Sequence, residues 1–144
     1  MNILVINGPN LNLLGLREPN IYGAETLNDI RIWLNNIDFP KAHTIDWYQS
    51  NHEGEIIDRL HEAMNDNTEG IIINPGAFTH YSYAIHDAII SIGIPVAEVH
   101  MSDINSREKF RRKSVIKDVC ITQISGLGKE GYAEALNALI KLIK

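Results

Sequence analysis

Tyr22, His80 and His100, together with Arg17, Arg107 and Arg111, are the side chains whose type and position could do chemistry. His100 ends the apolar run Val96–His100, and Glu98 lies two residues earlier, on the same side if that run is a strand. A carboxylate beside an imidazole can orient it or hold it charged, which suits an acid. A buried, hydrogen-bonded histidine with only a structural role fits the same pattern equally well. Arg17 and Tyr22 share one connection. A tyrosine with its ordinary pKa of about 10 is a poor base at neutral pH. Lowering it by about three units needs roughly 4 kcal/mol of preference for phenolate. A guanidinium held close could supply much of that. Spacing alone leaves open the plainer alternative, in which Tyr22 joins a turn with Gly23 and Arg17 is solvated.

The rim these residues share is set by the elements that carry them. Ile3–Asn7, Thr44–Gln49, Gly70–Asn74, Val96–His100 and Val119–Ser125 read as strands, short and rich in Ile and Val. Several are apolar at consecutive positions, as strands buried on both faces of a parallel sheet must be. Helices are predicted over Leu27–Asn36, Glu53–Met64, Ser82–Ser91 and Lys129–Lys144, with a shorter one over Arg107–Lys113. Thr26 and Asp29 are placed for a capping box, and Ile56, Ile57, Leu60 and Met64 form one stripe. The alternation predicts one α/β domain over residues 1–144 with a doubly wound, five-stranded parallel sheet. Ligands of such sheets bind beyond the carboxyl ends of the strands.

The residues just past each strand are therefore informative. Strand one leads into Asn7-Gly8-Pro9-Asn10-Leu11-Asn12, strand three into Asn74-Pro75-Gly76-Ala77 and then Thr79-His80, and strand four into Met101-Ser102. Amides, histidines and arginines on one rim suit a small, polar, anionic molecule. The long connection Gly8–Glu25 is read as a functional loop, a lid over the site.

Composition narrows the field. Of 144 residues 44% are hydrophobic and 22% charged, and the net charge of −5 argues against a nucleic-acid surface. Cys120 stands alone, which excludes an internal disulfide, and its apolar neighbours suggest a buried strand residue. No apolar run approaches the roughly 18 residues of a membrane helix, and the reading is cytoplasmic. No histidine, cysteine and carboxylate set has metal-ligand spacing, so no metal is expected. Neither a phosphate loop nor a dinucleotide fingerprint is present, and no cofactor is expected. Gly126-Leu127-Gly128 is read as a tight strand-to-helix turn.

These motifs together resemble type II 3-dehydroquinate dehydratase along nearly the whole chain. The resemblance rests on Asn7–Asn12, Leu14-Gly15, Arg17-Glu18-Pro19, Tyr22-Gly23, Gln49-Ser50-Asn51 and Glu53-Gly54-Glu55. It continues through Asn74–Ala77, Thr79-His80, Asp87-Ala88, Glu98-Val99-His100, Arg107-Glu108, Phe110-Arg111, Gly126–Gly128 and Gly131-Tyr132. It implies a flavodoxin-like fold and dehydration of 3-dehydroquinate to 3-dehydroshikimate through an enolate, without a cofactor, in the shikimate route to aromatic amino acids. By resemblance, Tyr22 is the base, Arg17 holds it as phenolate, His100 is the acid, Glu98 supports it, and Asn12 binds a water at the enolate oxygen. Asn74 and His80 would bind substrate hydroxyls, while Met101, Ser102 and Arg111 would hold other oxygens, including the carboxylate. Asp87 matches a residue that reaches a neighbouring subunit's site, implying trimers that assemble to a dodecamer. The chain departs from the family pattern at Asp103, usually asparagine, and at Tyr81, where threonine is common.

The alternative of another class is a non-enzymatic flavodoxin-like binding or signalling module. A phospho-receiver needs acidic residues after strand one and an aspartate ending strand three, where this chain has Asn7-Gly8 and Asn74. A Schiff-base lyase needs a lysine at a strand end, and the lysines fall elsewhere.

Overall fold

The apolar runs form the sheet because each has a helix layer to bury against on both sides. In a computed structural model the chain is described over residues 1–16 and 19–143, without the side chains of Ile21 and Tyr22. Strands β1 (Asn2–Asn7), β2 (Thr44–Gln49), β3 (Gly70–Asn74), β4 (Val96–His100) and β5 (Thr122–Ser125) lie in the order β2-β1-β3-β4-β5. All four pairings are parallel. The helices are α1 (Pro19–Tyr22), α2 (Leu27–Asn35), α3 (Glu53–Glu62), α4 (Tyr83–Ile92) and α5 (Glu130–Leu142). This is the doubly wound parallel sheet that the alternation predicts, in the flavodoxin-like form that the resemblance implies.

Alternate residues of the strands feed two cores. Leu4, Ile6, Ile71 and Ile73 pack with Ile56 and Leu60 of α3 and Ile85 and Ile89 of α4. Ile3, Val5, Ile72 and Val99 pack on the other face with Ile30 and Leu34 of α2 and Leu136 and Leu139 of α5. The predicted capping box forms: the Thr26 hydroxyl accepts from Asp29 N–H at 3.1 Å, and Thr26 N–H donates to the Asp29 carboxylate at 2.9 Å. The exits of β1 and β3 touch. Gly8 N–H donates to Asn74 O at 2.7 Å, and a Cβ on Gly8 would stand 2.4 Å from Pro75 O. Only glycine allows that approach.

Three local expectations are corrected. The segment predicted as a helix over Arg107–Lys113 holds only the 3-10 turn Lys109–Arg112, set off by extended backbone at Arg107 from a preceding 3-10 turn, Ile104–Ser106. The Asp103 carboxylate accepts from Asn105 N–H at 3.0 Å, a side-chain bond that competes with helix formation. The fifth strand begins at Thr122 rather than Val119, because Lys117–Val119 form a 3-10 turn. Cys120 is consequently not a strand residue, and it is only partly buried. Helix α3 stops at Glu62; Ala63 enters the core instead of Met64, which is exposed.

Candidate active site

The carboxyl ends of β1, β3 and β4 surround a cavity of about 390 Å³ whose lining includes Asn74, His80, His100, Met101, Ser102, Arg107 and Arg111. A hollow of about 330 Å³ adjoins it, sharing Leu11, Leu14, Ala77 and both arginines and reaching Pro9, Asn10 and Gly15. Two guanidinium groups facing polar walls give the space a preference for an anion.

The strongest local arrangement is at the end of β4. Glu98 and His100 alternate with Ala97 and Val99, so both point to one face, where the loops after β3 and before β5 cover them. His100 Nε2 lies 2.5 Å from Glu98 Oε2. A carboxylate only accepts, so Nε2 carries the proton and Nδ1 is the ring nitrogen left to face the cavity. Glu98 is fully buried, and a buried charge persists only when paired and hydrogen-bonded. Thr79 donates to Oε2 at 2.7 Å, and Ser114 donates to the same carboxylate at 2.9 and 3.0 Å. Gln123 stands opposite on β5. Burial alone would raise the Glu98 carboxyl. The bonds from His100 and Thr79, with the His100 charge and Gln123, outweigh that and hold it below the usual carboxylate range.

Asn74 is fixed through a residue distant in sequence. Tyr132, wholly buried on α5, donates its single proton to Asn7 Oδ1 at 2.6 Å and accepts from Asn74 Nδ2 at 3.0 Å. Burial pushes the Tyr132 phenol far above its ordinary value, so it stays a neutral bridge. Asn74 Oδ1 accepts from Gly76 N–H at 3.3 Å, which completes the orientation of the amide. His80 Nδ1 donates to Lys113 O at 2.7 Å, since a carbonyl only accepts. Neutral His80 therefore presents Nε2 as an acceptor, suited to a hydroxyl.

Met101 and Ser102 are held by the glycine turn after β5. Gly128 N–H donates to Met101 O at 3.0 Å, and Gly126 N–H to Ser102 O at 3.1 Å. Gly126 has φ +84 and stands against Asp103, which no residue with a side chain would tolerate easily. Arg111 stacks on Phe110 at 4.7 Å; its Nε is 2.9 Å from the Glu108 carboxylate, although the N–H does not aim at it.

The sites read from sequence divide by location. Asn74, His80, Glu98, His100, Met101, Ser102 and Arg111 come together. Asn12 sits exposed on the 3-10 turn Leu11–Leu13, with its Oδ1 3.5 Å from Gln49 Nε2. Gln49 also donates to Gly8 O at 3.1 Å, and Asn51 accepts from Asn10 N–H at 2.9 Å, so the end of β2 braces the end of β1. Asp87 lies on α4 with its side chain 78% exposed, outside the cavity lining, and among the described residues its carboxylate bonds His86 alone. Arg17 and the Tyr22 side chain lie outside the described residues. Sequence reasoning missed Thr79, Ser114 and Tyr132 as supports, although Thr79 and Tyr132 fall within the motifs that carry the family resemblance.

Comparison with known proteins points to one family. The family model described as dehydroquinase class II matches residues 1–140. A 3-dehydroquinate dehydratase of Caldicellulosiruptor saccharolyticus is 56% identical, covering 98% of this chain and 97% of that one. One from Clostridium perfringens is 54% identical over 100% and 99% of the two chains. The crystal structure of a type II dehydroquinase from Butyrivibrio crossotus superposes with a TM-score of 0.92 at 52% identity, covering 97% of each chain. That of the Propionibacterium acnes enzyme gives 0.84 at 39% identity, over 97% and 96%. With sequence and overall backbone agreeing over nearly the whole chain, the chain belongs to the class II dehydroquinase family.

Proposed function

We infer that this chain is a 3-dehydroquinate dehydratase, eliminating water from 3-dehydroquinate to give 3-dehydroshikimate in the shikimate pathway. The single observation that carries the reading within the family is the buried Glu98–His100 pair aimed at a cavity walled by Arg107 and Arg111. Tyr22, as phenolate beside Arg17, removes the proton next to the ketone, and the electron pair moves to the ketone oxygen as an enolate. A water held by Asn12 stabilises that oxyanion, as positioned neutral donors do in a dry site. Collapse of the enolate expels the C1 hydroxyl, which takes a proton from His100 Nδ1 and leaves as water. Glu98 supports this role, because the imidazolium that donates is paired through Nε2 to a carboxylate buried with it. The free Nε2 of His80 and the fixed amide of Asn74 suit the substrate hydroxyls. The backbone at Met101 and Ser102 and the Arg111 guanidinium suit the remaining oxygens, including the carboxylate.

Residues 8–25 serve in this reading as a lid that brings Tyr22 and Arg17 onto the substrate and excludes water. Asp87, solvent-facing on α4, supports a trimer in which it reaches a neighbour's site, with trimers assembling to a dodecamer. Among the described residues no helix is long and apolar enough to cross a membrane, which fits a cytoplasmic enzyme. The test is direct. Metal-free protein mixed with 3-dehydroquinate should produce the rising absorbance of the conjugated enone. Its absence in correctly folded protein overturns the reading, and light scattering checks the assembly.

A further inference from the structure

We propose that Ser114 is a positioning residue for the elimination: its hydroxyl seats the Glu98 carboxylate that orients His100, while its backbone neighbours seat His80 and Arg111. The inference rests on the function proposed above and assigns a device that the reaction scheme does not include.

Residues 111–115 form a strap across the ends of β3 and β4. Arg111 begins it and lines the cavity. Lys113 O receives the His80 Nδ1 proton at 2.7 Å. Val115 N–H closes it, donating to Thr79 O at 2.8 Å. Ser114 lies between these anchors and turns inward. Its oxygen accepts from Ile116 N–H at 3.3 Å and Lys117 N–H at 3.1 Å. With its lone pairs so engaged, its one proton is free for Glu98, at 2.9 and 3.0 Å. Thr79, 3.0 Å away, spends its own proton on Oε2. Glu98 thus receives two hydroxyl donors and the His100 ring, which together fix the plane of its carboxylate. That plane decides where Nδ1 points.

Other groups around Glu98 do not take over this role. Among the described residues His100 is its one ion-pair partner, and no lysine or arginine pairs with it. Cys120, pushed up to about 12 by burial and by the Glu98 charge, is neutral. Thr79 and Gln123 are uncharged. Removing a hydroxyl donor should therefore raise the pH at which Glu98 takes up its proton. A hydrogen bond to a buried charge corresponds to about one unit or more.

The experiment reads that proton by infrared difference spectroscopy, following the carboxylate stretch of Glu98 with pH, with Glu98→Gln as the subtraction reference. Ser114→Ala should move the midpoint up by about one unit and lower kcat about tenfold. KM should rise as well, because His80 and Arg111 ride on the same strap. Thr79→Val removes a donor but leaves Ile116 and Lys117 their acceptor. It should move the midpoint similarly and lower kcat with KM nearly unchanged. Ser114→Thr, which keeps the hydroxyl, should restore the midpoint. An unmoved midpoint in Ser114→Ala or Thr79→Val, even with a lowered Tm, overturns the inference. The infrared reading needs no turnover. Absence of enone from the wild-type protein would therefore defeat the functional reading separately.

Discussion

The exits of β4 and β1 face the same cavity but are built in opposite ways. At the β4 exit Glu98 and His100 are buried, every Glu98 oxygen has a donor, and glycine N–H groups pin the backbone of Met101 and Ser102. After β1, beyond the ties of Gly8 to Asn74 O and Asn10 to Asn51, the chain is at most half-buried as far as Leu16. Asn12 is solvent-facing, and Leu13 and Leu16 are 40% and 70% exposed. In the proposed lid, leucines in water on this connection are candidates for burial against substrate. The difference teaches a division of labour. In the proposed mechanism His100, the acid, is already paired with Glu98 on the sheet, whereas Tyr22, the base, comes with the connection after β1.

The largest expected effect breaks the β1 half. Tyr22→Phe should lower kcat by about a thousandfold, within the range for loss of a general base, and leave binding of a substrate analogue nearly unchanged. Retention of more than about a tenth of wild-type kcat would move the base to another residue and remove the functional contrast between the two exits. Steady-state kinetics and analogue titration decide it.

Glu98→Gln breaks the rigid half. The amide has the carboxylate's shape but brings its own donor into a box of donors, and His100 loses its charge partner. A fall in kcat of about a hundredfold is expected, with about 2–3 kcal/mol of stability lost near neutral pH. The pH dependence has a definite sign. The folded-state carboxyl sits below its ordinary value, so its stabilisation is complete above the ordinary carboxylate range. It is lost as pH falls through the lowered value. Urea melts of wild type should weaken below about pH 4, and those of Glu98→Gln should be flatter there. Parallel profiles would mean that Glu98 carries no charge in the folded state.

Tyr132→Phe acts one layer further back, with a smaller effect. It leaves Asn7 Oδ1 and Asn74 Nδ2 without their shared partner inside the protein. A loss of about 1–2 kcal/mol is expected, with a several-fold rise in KM as Asn74 loses its orientation. A drop in stability with KM unchanged would separate the bridge from substrate binding.

Legibility in the sequence divides along the same line. Strands β2, β3 and β4 and the capping box at Thr26 could be read because period, apolar run and cap agree within a few residues. Glu98 and His100 were readable as a pair because strand alternation alone puts them side by side. Thr79, Ser114 and Gln123 converge on Glu98 from separate elements, and only the fold brings them together. Tyr132 reads in sequence as one more core residue of an amphipathic helix, with nothing local to link it to Asn7 or Asn74. The stretches over residues 107–113 and 117–121 misled for a related reason. Just before the first stretch Asp103 diverts the Asn105 N–H, and at the start of the second Ser114 diverts those of Ile116 and Lys117, side-chain bonds that period arguments do not register.

Leu16→Ser gives the smallest effect and the sharpest comparison. With 70% of the residue already in water, little apolar surface is lost from the unliganded fold. The free energy of unfolding should change by less than about 0.5 kcal/mol. If closure buries the side chain, the serine forfeits about 1 kcal/mol in the closed complex, and KM should rise about fivefold. Unfolding and KM measured on the same preparation therefore separate two pictures. Unchanged stability with raised KM supports a connection that packs only on substrate. A loss of about 2 kcal/mol or more without ligand, comparable to what a buried leucine contributes, would mean that the β1 exit is already as fixed as the β4 exit.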